Sequence, residues 1–337
     1  MRKIIKKLEA KIQKPEIEEK ELISEEVVLK TPLFKIDKFV LLILLFAVFL
    51  LGAVSNQIYN NNGLKVETSK VEPSAKESSG KKLDLVKIEE KIIPKSYAAN
   101  VKWADLGKRL AEDGVIDRVK LAQSLNGTEI MPVEVEKYLD GSDQKIELNE
   151  QNAHFWLNVL WGLGLANKND ILDKGDMQTA SENNPANFAS TGGYTLGVGD
   201  AMNYYSKNLY IKLDDKQQKL VEKIAGNIYR PCCGNSTAFP DCNHGMAMLA
   251  LVELMVSQNR SEKEIYDAAL AFNTLWFPQT YLDIAYHFEK AGKDSTAVSP
   301  QQKLSKTFSS GQGYAVIKKE VGDLAWPSNK SGGSCGA

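Results

Sequence analysis

Charge of one sign is missing: 42 Lys and Arg stand against 43 Asp and Glu in 337 residues, for a formal net charge of −1. That balance gives no global attraction for nucleic acid, and no nucleic-acid partner is expected. Cysteine and histidine are scarce, at four and three. Four cysteines do not make a disulfide scaffold, and five Trp, 12 Tyr and 11 Phe supply a core without them. Glycine and proline show no collagen-like period, and no internal repeat of solenoid length occurs. No CxxCH is present, which disfavours covalent haem, and no GxSxG or HExxH supports hydrolysis.

Long apolar runs are absent with one exception, Phe39–Val54, which reads FVLLILLFAVFLLGAV. Sixteen residues rise roughly 24 Å, short of a hydrocarbon core of roughly 30 Å. Continuing to Tyr59 makes 21 residues and puts an aromatic ring at the interface. The sequence therefore predicts a single transmembrane helix over 39–59, with the lipid bilayer as its partner. Lys35 and Lys38 abut its amino end and Ser55–Leu64 has no basic residue, so the positive-inside rule sets the amino terminus in the cytoplasm. The expected location is the cell membrane, single-pass, with the carboxy-terminal domain extracytoplasmic. A retained signal anchor fits the 38-residue leader; Ala53-Val54-Ser55 leaves a cleaved signal peptide as the alternative.

The organisation read from the chain has five parts. Residues 1–38 form a cytoplasmic leader, 39–59 the span, and 60–96 a Lys-, Glu- and Ser-rich tether with some helical periodicity over Leu83–Ile93. Residues 97–327 form a globular domain, and 328–337 a Gly/Ser-rich tail. The fold class expected of the domain is mostly α with a few short strands. Helix is predicted over 104–125 with a break at Gly114, from Asn149 to about Leu165, and from an Asp215 cap to about Tyr229. Further helices are predicted over 244–258, 261–275 and 279–291, the second opening on Ser261-Glu-Lys-Glu264, a capping box. Lys145–Leu148 and Leu209–Leu213 read as strands, and Lys174–Ala201 reads as loop.

Chemistry concentrates in IYRPCCGNSTAFPDCNHGM. Cys232, Cys233, Cys242 and His244 fall within thirteen residues. Asp241 reads as a helix cap, which places Cys242 in the first turn, where backbone N–H groups and the helix dipole favour a thiolate. Three chemistries fit: a structural disulfide from Cys242 to Cys232 or Cys233, a thiol-redox site on those three cysteines, or a metal site. As metal ligands, Cys232, Cys233, Cys242 and His244, with Met246 or Met248 as further soft donors, suit Cu(I) or Zn²⁺. Cys335, near the carboxyl end, reads as either a shuttle thiol or the partner of a second disulfide.

Residues 230–277 resemble the small three-helix thiol-oxidoreductase domain of cytochrome-c maturation. The shared features are a cysteine pair just after Arg, a following helix, and a Ser-x-x-Glu-Ile helix start at Ser261, Glu264 and Ile265. The family's pair is CxxC, whereas Cys232 and Cys233 are adjacent and a third cysteine follows. The resemblance implies membrane-anchored, extracytoplasmic thiol chemistry.

Other candidates carry less. Asn187–Asp200 holds four glycines without a phosphate-binding spacing. His154 lies in an apolar helix and reads as a core residue, while His287 has only Asp283 as an acidic neighbour on its own helix. Asn126, Asn235, Asn259 and Asn329 begin Asn-x-Ser/Thr sequons. The function expected is thiol-redox or soft-metal handling at the cysteine cluster. The alternative is a non-enzymatic, disulfide-stapled structural or interaction module, and whether the protein is an enzyme stays open.

Overall fold

A helix that is apolar on every side must be buried on every side, and two such helices set the architecture. The computed structural model describes residues 83–141, 144–182 and 184–328, which belong to one compact unit, Ser79–Ala337. In chain order these form α1 (Leu85–Ile92), β1 (Tyr97–Lys102), α2 (Leu106–Glu112), α3 (Arg118–Asn126), α4 (Val133–Glu136) and β2 (Lys145–Leu148). Then come α5 (Ala153–Ala166), α6 (Asp170–Lys174), α7 (Asp176–Ala180), α8 (Asp215–Ala225) and α9 (Asn243–Ser257). The chain continues through α10 (Glu262–Trp276), α11 (Pro278–Lys290), α12 (Pro300–Lys303), α13 (Lys306–Ser309) and α14 (Gly311–Val321).

The all-round apolar pair is α5 and α9, and they pack on each other at the centre. Gly164 permits the contact: the Met246 carbonyl lies so close that a Cβ there would overlap it. β1 and β2 pair antiparallel, with Tyr97 opposite Leu148. Their inner residues, Ala99, Val101, Ile146 and Leu148, are buried in the same core. Trp103, Tyr138, Phe155 and Trp156 stack there in edge-on and tilted pairs.

A second layer positions the site. Asp283 on α11 is completely buried and accepts hydrogen bonds from Trp326 Nε1 (2.8 Å), Gln279 Nε2 (2.9 Å) and Tyr314 Oη (2.8 Å), with Lys318 Nζ at 3.3 Å. Four donors on one carboxylate lash α14 and the chain after it to α11. The start of α14 thereby sits under the cysteine loop, where Gly311 N donates to Cys233 O at 2.7 Å.

Local expectations fare unevenly. Gly114, at φ +75°, separates α2 from α3 as its position suggested. The Ser261–Glu264 capping box is formed on both sides. Asn149 does not cap α5; it exchanges hydrogen bonds with Asn152, and the helix begins after that pair. The α8 cap is Asp214, with Gln217 completing its box, rather than Asp215. Leu209–Leu213 is not a strand, although Asn208 bridges to Asn167. From Leu85 the chain is helix packed on α11, within the stretch read as tether.

The fold class needs a correction. A membrane-spanning helix was part of the expectation, but among the described residues no helix is long and apolar enough to cross a membrane. The nearest candidates, α5 and α9, have 14 and 15 residues. That is about 21–23 Å, well under the roughly 30 Å of hydrocarbon, and their apolar surface is buried in the domain core. The structure shows a mostly helical domain with one two-stranded sheet. The expected span at 39–59, the leader 1–38, the tether 60–82 and the tail from 329 lie outside the described residues.

Candidate functional site

The loop between α8 and α9 folds around a buried arginine. Ile228 O accepts from both the backbone N (2.8 Å) and Oγ1 (3.1 Å) of Thr237, and Tyr229 bridges to Ser236, which closes a short turn. Arg230 enters that turn and is 1% exposed. Its Nη1 donates to Asn235 O (3.2 Å), its Nη2 to Phe239 O (3.2 Å) and Asp241 Oδ1 (2.7 Å), and its Nε to Cys242 Sγ (2.9 Å). Gly245 is required beside it, because a Cβ on that first turn of α9 would strike the guanidinium. Asn235 Nδ2 bonds the other Asp241 oxygen at 2.8 Å, so the carboxylate is held from two sides.

Cys242 is the N-cap of α9, not a first-turn residue, and the cap expected at Asp241 moves one position on. Its sulfur accepts from Gly245 N at 3.4 Å, so the helix N-terminus acts on it directly. Cys232 Sγ lies 3.4 Å from Cys242 Sγ, closer than separate side chains need be and longer than a disulfide bond near 2.05 Å. Cys233 Sγ is 3.7 Å from Asp241 Oδ1. All three sulfurs lie within 4.8 Å of one another, among the described residues the one such cluster of potential metal-ligating side chains.

Electrostatics separate the thiols. Hydrogen bonds from Cys232 and Cys233, then the charges of Arg230 and His244, hold Cys242 well below the ordinary cysteine value, although burial opposes this. For Cys233, a hydrogen bond with Cys232 lowers the pKa. Its bond with Cys242 and its burial outweigh that and push the thiol up to about 11. Burial works against the Arg230 charge, but Cys242, Cys233 and Cys232 together keep the guanidinium protonated. The environment thus favours the thiolate at Cys242 and the thiol at Cys233, with Arg230 shared between the Cys242 sulfur and Asp241.

His244 is not gathered into the cluster. Its Nδ1 pairs with Asn243 Oδ1 at 2.8 Å and its ring packs on Trp276 and Phe277, with centroids 5.5 and 4.4 Å away. As a metal centre the site thus offers three sulfurs, and Arg230 already occupies a lone pair of one of them. His154 is exposed at the start of α5, not in the core, and burial of its ring edge followed by the charge of His244 lowers its pKa. His287 faces Glu320 on α14, with Nδ1 3.0 Å from the carboxylate. The glycine-rich stretch packs against the site: Ser190 N donates to Asp241 O (3.2 Å) and Phe188 meets Phe239 edge-on. Cys335 lies outside the described residues.

Sequence reasoning missed Arg230 as the organiser and Asp241 as its counter-ion. An arginine between Tyr229 and Pro231, apart from any helix, was the available signal, but its burial depends on Gly245, fifteen residues later. In comparisons with known proteins, no family, no curated protein and no solved structure matches the chain.

Proposed function

We propose that this protein is a thiol–disulfide oxidant whose working pair is Cys232 and Cys242. The observation that carries the reading is the Arg230 Nε bond to Cys242 Sγ with Cys232 Sγ 3.4 Å away. A fixed cation and a helix N-terminus stabilise the Cys242 thiolate, which belongs to the reduced state alone. Stabilising the reduced state makes the disulfide more oxidising, and a low-pKa thiolate leaves faster. In the oxidised form a substrate thiolate attacks the half-buried Cys232 sulfur. Its S–S bond to Cys242 breaks, the electron pair leaves on Cys242, and a mixed disulfide forms. A second substrate thiol releases Cys232, so the substrate loses two electrons and two protons; the pair takes both electrons and one proton, on Cys232, and the other proton goes to solvent while Cys242 stays a thiolate. Buried Cys242 is screened from direct attack. The resemblance of residues 230–277 to a thiol-oxidoreductase domain points to the same chemistry.

A second reading is a three-sulfur Zn²⁺ or Cu(I) site, favoured by the 4.8 Å grouping and opposed by the Arg230 charge. A passive staple is the third, but Arg230 already ties the loop at four acceptors, which leaves a disulfide little to add. The test is a redox titration of the full chain against glutathione, with disulfides mapped by mass spectrometry and metal content measured on the same sample. The expected result is a Cys232–Cys242 bond with a potential above the roughly −270 mV of thioredoxin. A pair that stays reduced under oxidising glutathione while holding metal would replace this reading with the second. A bond that resists mild reductant would leave the staple.

A further inference from the structure

A cavity of about 400 Å³ lies between α1, α10, α11 and α12. Its walls are mainly apolar, from Ile92, Pro94, Leu270, Ala271, Ala285 and Pro300. Its charged wall residues are Lys91, Asp267 and Lys303, and of these Lys303 is the most enclosed, at 7% exposed. Among the described residues its ammonium has no hydrogen bond and no carboxylate within 4.0 Å. Asp294 acts on it only through space, Asp267 is committed to Lys263 at 2.7 Å, and burial lowers the Lys303 pKa. Lys91 adds a second positive charge at the rim. An ammonium without an ion pair on a largely apolar wall is complemented by a ligand that supplies an anion.

We propose that this cavity binds a small amphipathic monocarboxylate, with its carboxylate on Lys303 and its short hydrocarbon body against Leu270, Ala271 and Ala285. The volume is at the lower end of ordinary small-molecule sites and suits one chain of roughly eight to ten carbons. A two-tailed lipid is far too large for it. The opposing acids are either paired or outside the lining, so a net positive end faces an apolar one.

The site is independent of the thiol chemistry and is tested separately, with octanoate and 1-octanol titrated into the full chain by calorimetry. The expected result is one octanoate per chain, bound at least tenfold more tightly than octanol. Lys303→Met should erase the preference by weakening octanoate alone, and retained octanol binding shows that the cavity is intact. Lys303→Gln repeats the test if the Met variant does not fold. Equal affinity for acid and alcohol in the parent protein, unchanged octanoate affinity in both variants, or no octanoate binding at all would each overturn the proposal.

Discussion

Single side chains with unusual surroundings decide most of what is testable here, and Arg230 is the first. After the hydrogen bonds from Cys232 and Cys233, its charge lowers the Cys242 pKa, and its Nε lies 2.9 Å from the sulfur. Arg230→Gln should therefore move the thiolate titration, read by ultraviolet absorbance against pH, toward the ordinary value near 8.5. A titration unchanged by the substitution would mean that the hydrogen bonds from Cys232 and Cys233 and the helix terminus set it without Arg230. Glu253 is the second. It is completely buried on α9, accepts from Asn167 Nδ2 at 2.9 Å and from Asn169 Nδ2, and is pushed up to about 8 by burial. Its folded pKa lies above the unfolded value near 4.3, so between those values the native state holds a proton that the unfolded chain has released. Stability should fall as pH rises from about 4.5 to about 8, by an amount on the order of a few kcal/mol. Glu253→Gln should flatten that slope in chemical denaturation at a series of pH values. Equal slopes in parent and variant would place the proton elsewhere.

At the scale of elements, the α5–α9 contact depends on one missing side chain. Gly164→Val puts two methyl groups where the Met246 carbonyl lies, so the helices must separate or tilt. The expected loss is about 3 kcal/mol or more, measured as a shift in denaturation midpoint. Cys242 sits one turn before that contact and Gly245 immediately before it, so thiol titration should shift as well. Elements were legible where a local rule decides them. The Ser261–Glu264 box, the Gly114 break and the uniform apolarity of α5 are such cases, because cap geometry and burial follow from neighbouring residues. The pairing of β1 with β2 was not, since its partners are separated by more than forty residues and the register depends on the aromatic cluster beneath. Helix α14 was missed because Gly311 and Gly313 open it, and what holds it there is distant in sequence, the Asp283 bonds and the Cys233 carbonyl among it. The cysteine cluster was legible as a cluster through its spacing. The contrast between a lowered Cys242 and a raised Cys233, with His244 set apart, was not, since it follows from hydrogen bonds among the three sulfurs and from a buried arginine beside them.

For the whole molecule, the question is where the domain begins. The sequence reading starts it at Tyr97, yet α1 is packed on α11 with Ile88 buried. Ile88 sits with Leu282, Ala285 and Trp326 in a cluster apart from the main core. Glu89 Oε2 also accepts from Ser328 N at 3.2 Å, which ties α1 to the chain end beyond α14. Removing residues 83–96 would uncover Leu282, Ala285 and the Trp326 ring. Fully burying one large aliphatic side chain contributes about 1.5–3 kcal/mol, so losing Ile88 and the partly buried Ile92 should cost about 3–5 kcal/mol. The same deletion removes Lys91, Ile92 and Pro94 from the cavity that holds Lys303. A fragment spanning 97–328 should therefore unfold at lower denaturant than one spanning 83–328 and bind octanoate more weakly. The thiol titration should stay in place, because α1 packs on α11 and supplies no partner to Arg230. Equal stability of the two fragments would show that α1 is an appendage and would move the domain boundary back to Tyr97. A shift in the thiol titration would show instead that α1 acts on the cysteines through α11, whose Tyr281 hydroxyl contacts Ser309 and Asn273 and feels the charge of Cys232.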